Sequence, residues 1–139
     1  MNSNNDHSST AVLRIVSRKK SIEEISNILN TRPTRCSLKG QPYSRRNPNS
    51  KIREENIWLL ESGLNKYESL EVHIRHILSF LRTKKEFIRE LQLECEIDIV
   101  CSFSSENGQG GFTLDHELLK ELTENSLELV VNLYPPEGG

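Results

Sequence analysis

The sequence predicts an α+β domain: a mostly antiparallel sheet with helices packed on it, in the order β-α-β-β-α-β-β-α-β. Three observations carry this. Residues 11–17 and 93–103 are β-branched or alternate apolar and polar side chains, the pattern of strands. Leu70, Ile74, Ile77, Leu78 and Leu81 recur at i, i+4, i+7, i+8 and i+11, the stripe of an amphipathic helix. The strands come in neighbouring runs between helices, which is the α+β pattern and not a doubly wound parallel sheet. The first six elements follow the ferredoxin-like order.

A chain of 139 residues has the length of one domain and can bury a core without staples. Residues 1–10 are Asn/Ser-rich and read as a disordered tail, 11–134 as the single domain, and 135–139 as a C-terminal tail. The N-terminus lacks the apolar core of a secretory signal, and no apolar run reaches the length of a membrane span. Cys36, Cys95 and Cys101 are odd in number and include no Cys-x-x-Cys, so they point to neither a disulfide framework nor a zinc site. The expected address is a reducing cytoplasm.

In the first strand, Ala11, Leu13 and Ile15 form one face, and Val12 and Val16, with Arg14 between them, form the other. Apolar residues on both faces predict a central strand. Ser21 and Glu24 form a capping box that opens a helix carrying Ile22, Ile25, Ile28 and Leu29, and Pro33 stops it. Residues 35–39 form a short strand closed by Gly40, and 41–50 have loop composition. Residues 53–61 are the next strand, with Ile57 and Leu59 on one side and Trp58 and Leu60 on the other. The long helix covers 70–90; Phe87 and Ile88 follow Lys84–Lys85, where a bend or break is expected.

From 93 to 103, Leu93, Cys95, Ile97, Ile99, Cys101 and Phe103 point in, while Glu94, Glu96, Asp98 and Ser102 point out. Asn107–Gly108 signals a hairpin turn whose returning strand is 112–114. Asp115 caps a helix with the stripe Leu118, Leu119 and Leu122. The last strand, 127–134, turns Leu127, Leu129, Val131 and Leu133 inward.

The order of these features is similar to a known family. Glu23-Glu24-Ile25, Leu29 and Pro33-Thr34 follow the first strand. Lys39-Gly40, a strand tryptophan, an amphipathic helix, a Gly-rich turn and a closing run of Leu127, Leu129, Leu133 and Tyr134 come after. Asn30 stands where a glycine is expected after the first helix. The arrangement resembles a bacterial domain-of-unknown-function family, the one numbered 4279, over roughly residues 12–134. The resemblance implies a small single-domain bacterial protein and no particular reaction.

Charge is the sharpest functional signal. Residues 1–53 carry eleven Lys/Arg and three Asp/Glu, net +8; residues 54–139 carry seven and seventeen, net -10. Arg32, Arg35, Lys39, Arg45, Arg46, Lys51 and Arg53 succeed one another with no acidic residue among them. The candidate binding residues are Arg35, Lys39, Arg45, Arg46, Lys51 and Trp58. Such cations can hold phosphates, but Tyr43 is the one aromatic interleaved with them, and the sequence pI is near 6.1.

Catalytic patterns are weak. His73-x-x-His76 lacks further metal ligands at an obvious spacing, Gly108-x-Gly110-Gly111 is not followed directly by a helix, and there is no Gly-x-Ser-x-Gly. No catalytic residue, metal site or cofactor is assigned.

The expectation is a non-catalytic domain acting by contact with a protein partner or by self-association. Its concrete version is an immunity-type neutralising partner whose Glu94, Glu96 and Asp98 cover a basic site. The alternative is an anion or nucleic-acid binder through residues 32–53. No membrane role is expected.

Overall fold

The computed structural model describes residues 7–134. Its elements are β1 (His7–Ser17), α1 (Ile22–Leu29), β2 (Arg35–Ser37), β3 (Asn56–Glu61), α2 (Leu70–Arg82), α3 (Lys85–Gln92), β4 (Glu96–Ser105), α4 (His116–Glu124) and β5 (Glu128–Tyr134). The strands form one sheet in the order β2-β3-β1-β4-β5. β1 is antiparallel to both β3 and β4, and β2 is antiparallel to β3, so β4-β1-β3-β2 is the ferredoxin-like core. β5 runs parallel to β4, which makes the sheet mixed. Helix α4 supplies the crossover that a parallel connection needs.

β1 is central, as its two partly apolar faces predict. It begins at His7, four residues earlier than composition indicates. Ser9 is buried and its N–H donates to the Lys66 carbonyl at 2.7 Å, while Thr10 shares a hydroxyl contact with Ser102. Pairing with the far end of β4 therefore overrides the polar composition of residues 7–10. Residues 1–6 and 135–139 of the expected tails lie outside the described residues.

The capping box forms as written: Ser21 Oγ accepts from the Glu24 N–H, and Glu24 Oε1 from the Ser21 N–H, both at 3.1 Å. Asn30 ends α1 in the left-handed region, at φ 50° and ψ 43°. That conformation explains the missing glycine, because asparagine tolerates it better than other side chains do.

The long helix breaks at Thr83 and Lys84, the latter at φ -125° and ψ 17°, to give α2 and α3. All five residues of the α2 stripe are buried.

Three expectations are corrected. Leu93 is 83% exposed and is not in a strand; it caps α3, and the next N–H groups, of Glu94 and Cys95, still donate to the Leu91 carbonyl. β4 accordingly starts at Glu96. Residues 112–114 form no strand: β1 holds one edge of β4 and β5 the other, so no edge is left for a returning hairpin. The turn itself is present, with Gly108 at φ 74° and its N–H donating to Ser105. Finally, Leu119 and Leu133 are 46% and 72% exposed. Helix α4 buries only Leu118 and Leu122, one turn apart, and Leu133 lies near the far end of an edge strand.

The core lies between the helices and one face of the sheet. Ala11, Leu13, Ile15, Trp58, Ile97, Ile99 and Cys101 meet Ile25, Leu29, Ile74, Leu78, Ile88, Leu91 and Leu118 there. Alternation sends the intervening strand residues to the other face, which the helices of the described residues leave uncovered.

Candidate functional site

That second face can be read row by row from the strand register. One row is Arg35, Leu59, Arg14, Asp98 and Glu128, across β2, β3, β1, β4 and β5. Beside it, Glu61, Val12, Val100 and Val130 form a second row, and Ser37, Ile57, Val16 and Glu96 a third. Val16, Ile57, Leu59, Val100 and Val130 are only half-buried, and none belongs to the core cluster. Outward positions of a one-sided sheet are ordinarily polar. Here aliphatic residues flank a charged pair at the middle of the face, and a second ion pair, Arg35 with Glu61, stands toward the β2 edge.

The central pair is Arg14 and Asp98. The guanidinium donates through Nε at 2.9 Å and through a terminal nitrogen at 2.6 Å to the two carboxylate oxygens. These bonds raise the Arg14 pKa despite some desolvation. The fork geometry fixes both side chains flat across the centre of the face. At the far corner Thr10, Ser102 and Asn132 make a polar row, and Tyr134 is the only aromatic residue pointing outward from the five strands.

The basic stretch is more ordered than its composition indicates. It is a two-stranded arm continuing β2 and β3. Gly40 donates to Arg53 at 2.9 Å, Arg53 to Gln41 at 2.8 Å and Tyr43 to Lys51 at 2.9 Å, with a bridge between Pro42 and Ile52. The Arg53 guanidinium sits 4.7 Å from the centre of the Tyr43 ring. At the tip, the Ser44 N–H donates to the Ser50 hydroxyl at 3.0 Å.

The predicted binding residues do not converge on one site. Arg35 lies on β2, bonded to Glu61 at 3.0 Å. Lys39 reaches the Arg18 carbonyl at 3.4 Å. Arg45 and Arg46 are exposed at the tip of the arm, and Lys51 on its returning side; none of the three holds an ion pair among the described residues. Trp58 is wholly buried and its indole N–H donates to Ser26 Oγ at 3.1 Å, so it belongs to the core and is withdrawn as a contact residue. Of the three acids expected to face a basic partner, Asp98 is held by Arg14 and Glu94 by Lys20 at 3.2 Å, which leaves Glu96.

Sequence reading missed a buried Ser–His contact. Ser62 Oγ lies 2.6 Å from His73 Nδ1, and His73 Nε2 has no hydrogen-bond partner among the described residues. Burial lowers the His73 pKa, opposed by the nearby Asn65 backbone and Glu68. Both residues are closed off from solvent, so the pair offers no substrate access and braces the segment between β3 and α2. Nothing in the sequence announces it, because the partners are eleven residues apart on different elements. His76, one turn away, is exposed, and no three metal-ligating side chains come together among the described residues. Cys95 and Cys101 are buried and Cys36 is exposed; burial pushes the Cys101 thiol up to about 12, far from reactive thiolate.

A cleft of about 900 Å³ opens beside the start of α2, lined among others by His7, Tyr67, Glu68, Glu71, Phe103 and Phe112. The Phe103 ring is 5.4 Å from His7 and 5.3 Å from Phe112. Gly110 stands at φ 145°, a conformation other residues rarely adopt, and an added Cβ would also lie 2.5 Å from the ring end of His7 at Nε2.

Fold and surfaces together define a two-layer α+β domain of ferredoxin-like core, extended by one parallel strand, with one side of its sheet uncovered by helices among the described residues. No helix among the described residues is long and apolar enough to cross a membrane. The chain belongs to the family described as Domain of unknown function (DUF4279), which matches residues 7–136. No curated protein and no solved structure matches it.

Proposed function

We propose that the protein is a non-catalytic interaction domain whose bare sheet face contacts another polypeptide. The observation that carries the proposal is the half-buried aliphatic surface of Val16, Ile57, Leu59, Val100 and Val130 around the Arg14–Asp98 pair. A solvated sheet face has no need of five such residues, and apolar surface gathered around a charged centre on a small protein suits a contact site. The same face argues against single-stranded nucleic acid as its occupant: a ferredoxin-like sheet that binds RNA stacks bases on aromatic residues of its strands. Here the half-buried outward residues of β1 and β3 include Val16, Ile57 and Leu59, and no aromatic.

The bacterial, cytoplasmic address belongs to this proposal. So does the immunity-type version, in which Glu96 and Glu128 would provide the acidic contacts.

A photo-cross-linking amino acid at Val130, in cells expressing the protein, tests the reading against the same group at Glu117 on α4. Val130 should give discrete polypeptide adducts and Glu117 none. Equal labelling at both positions, or no polypeptide adduct at Val130, would overturn the proposal.

A second reading rests on Arg45, Arg46 and Lys51, whose side chains hold no ion pair among the described residues. They suit a polyanion, with affinity falling steeply as salt rises. Titration of labelled single- and double-stranded RNA and DNA at low and moderate salt, beside the variant Arg45→Ala/Arg46→Ala, decides it. Binding lost in the variant supports this reading, and no binding at low salt removes it.

A further inference from the structure

We infer that the occupant of the bare sheet face is a second copy of this chain, packed sheet to sheet about a two-fold axis that runs parallel to the strands, between β1 and β4. The inference rests on the contact reading above and names its partner.

Cationic Arg35 and Arg14 lie toward the β2 side of the central row, and Asp98 and Glu128 toward the β5 side. A two-fold along the strands brings opposite sides together. With the axis between β1 and β4, each Arg14 lies over the second copy's Asp98. The two intrachain pairs become one square of alternating charge.

The same operation sets Val12 over the second copy's Val100, so apolar meets apolar beside the square. Glu128 comes within one strand spacing of the second copy's Arg35. A two-fold perpendicular to the strands would lay β1 on β1 and β4 on β4, opposing like charges. At the square of Arg14 and Asp98 and at Val12 and Val100 the face is self-complementary, as the middle of an isologous interface must be; Glu61 and Glu96 fall over the second copy's Val130 and Val16, toward the rim.

With the axis between β1 and β4, four strands of each copy overlap and β2 lies outside. Four strands at about 4.8 Å spacing span about 19 Å, and seven residues of strand run about 23 Å. Each copy therefore offers roughly 440 Å² of projected face, and the pair about 900 Å², the size of a weak, concentration-dependent interface. Two such sheets pack about 10 Å apart, which lets the aliphatic tips meet and the Arg14 and Asp98 side chains reach across.

The test is sedimentation or light-scattering mass of the full chain and three variants, with circular dichroism to confirm folding. All substituted positions are on the bare face and outside the core cluster. Wild type should have twice the 16.0 kDa mass of one chain. Val100→Lys, which puts a cation among Val12 and Val130, should have the mass of one chain.

Arg14→Asp should also run as one chain, because four carboxylates would then meet at the axis. The double variant Arg14→Asp/Asp98→Arg should regain the two-chain mass, since reversing both charges restores every opposition. Because the exchange also restores the pair within each chain, the rescue counts for the interface only where circular dichroism shows Arg14→Asp itself folded at one-chain mass; an unfolded Arg14→Asp leaves Val100→Lys to decide.

Wild type at one-chain mass throughout the high-micromolar range would overturn the second copy as occupant. If the Val130 cross-linker still captured a polypeptide, the contact reading would stand. A two-chain mass retained by Val100→Lys would place the dimer elsewhere and overturn the inference.

Discussion

Along β4, Ile97, Ile99 and Cys101 point into the helices, and Asp98 and Val100, between them, point away. Both sets are set by the same two-residue period, and both are largely apolar around the middle of the sheet. They differ in what covers them. Ile99 is 0% exposed beneath α2 and its neighbours; Val100 stays half-buried with only strand neighbours beside it. Strand periodicity therefore says which residues share a face, and the packing of helices says which face stabilises the monomer. An aliphatic face with no helix on it is free to serve contact.

The comparison is sharpened first by a matched pair of truncations. Ile99→Ala should destabilise by about 2–5 kcal/mol, because it removes buried methylenes and leaves a cavity between sheet and helix. Val100→Ala in dilute solution should cost less than about 1 kcal/mol, since its outer side loses no packed neighbour. Urea denaturation reads both, and similar losses would erase the distinction between the faces.

The next effect comes from the helix-covered side. His73 is buried with Ser62, and burial lowers its pKa from the ordinary 6.5. The neutral ring is what the fold accommodates, so its stabilising effect is fully present above 6.5. Stability should fall as pH drops below that value, where the unfolded chain takes up a proton more readily, and should go on falling until the buried ring itself protonates. His73→Gln should flatten this part of the pH profile. An unchanged profile would show that other groups set it.

The smallest effect belongs to the arm. Arg45→Ala/Arg46→Ala should shift stability by no more than about 0.5 kcal/mol, as exposed side chains without ion pairs do. A larger loss would mean that the tip packs on the domain.

The order of the elements was largely legible because it rests on local physics. The Ser21–Glu24 box, the Leu70 to Leu81 stripe and the alternation through Ile97, Ile99 and Cys101 are signals within a few residues. Direction was not legible: that β5 lies parallel to β4 depends on which edge α4 leaves open, and this also removed the expected strand at 112–114. Leu93 misled because it keeps the parity of β4 while still belonging to the end of α3.

Of the site, the two apolar faces of β1 were visible and gave its central position. The bareness of one face was not, because it depends on where the helices settle. Arg14 and Asp98 are 84 residues apart, a pairing no local pattern contains.

The most direct test of the bare face as the seat of a second copy is the urea midpoint of the full chain as a function of its concentration. A chain stabilised by a second copy unfolds at higher denaturant as concentration rises, by mass action. Wild type should show that rise, and Val100→Lys should not, its midpoint staying at the wild-type value reached on dilution. A wild-type midpoint independent of concentration, or the same rise in Val100→Lys, would contradict the account.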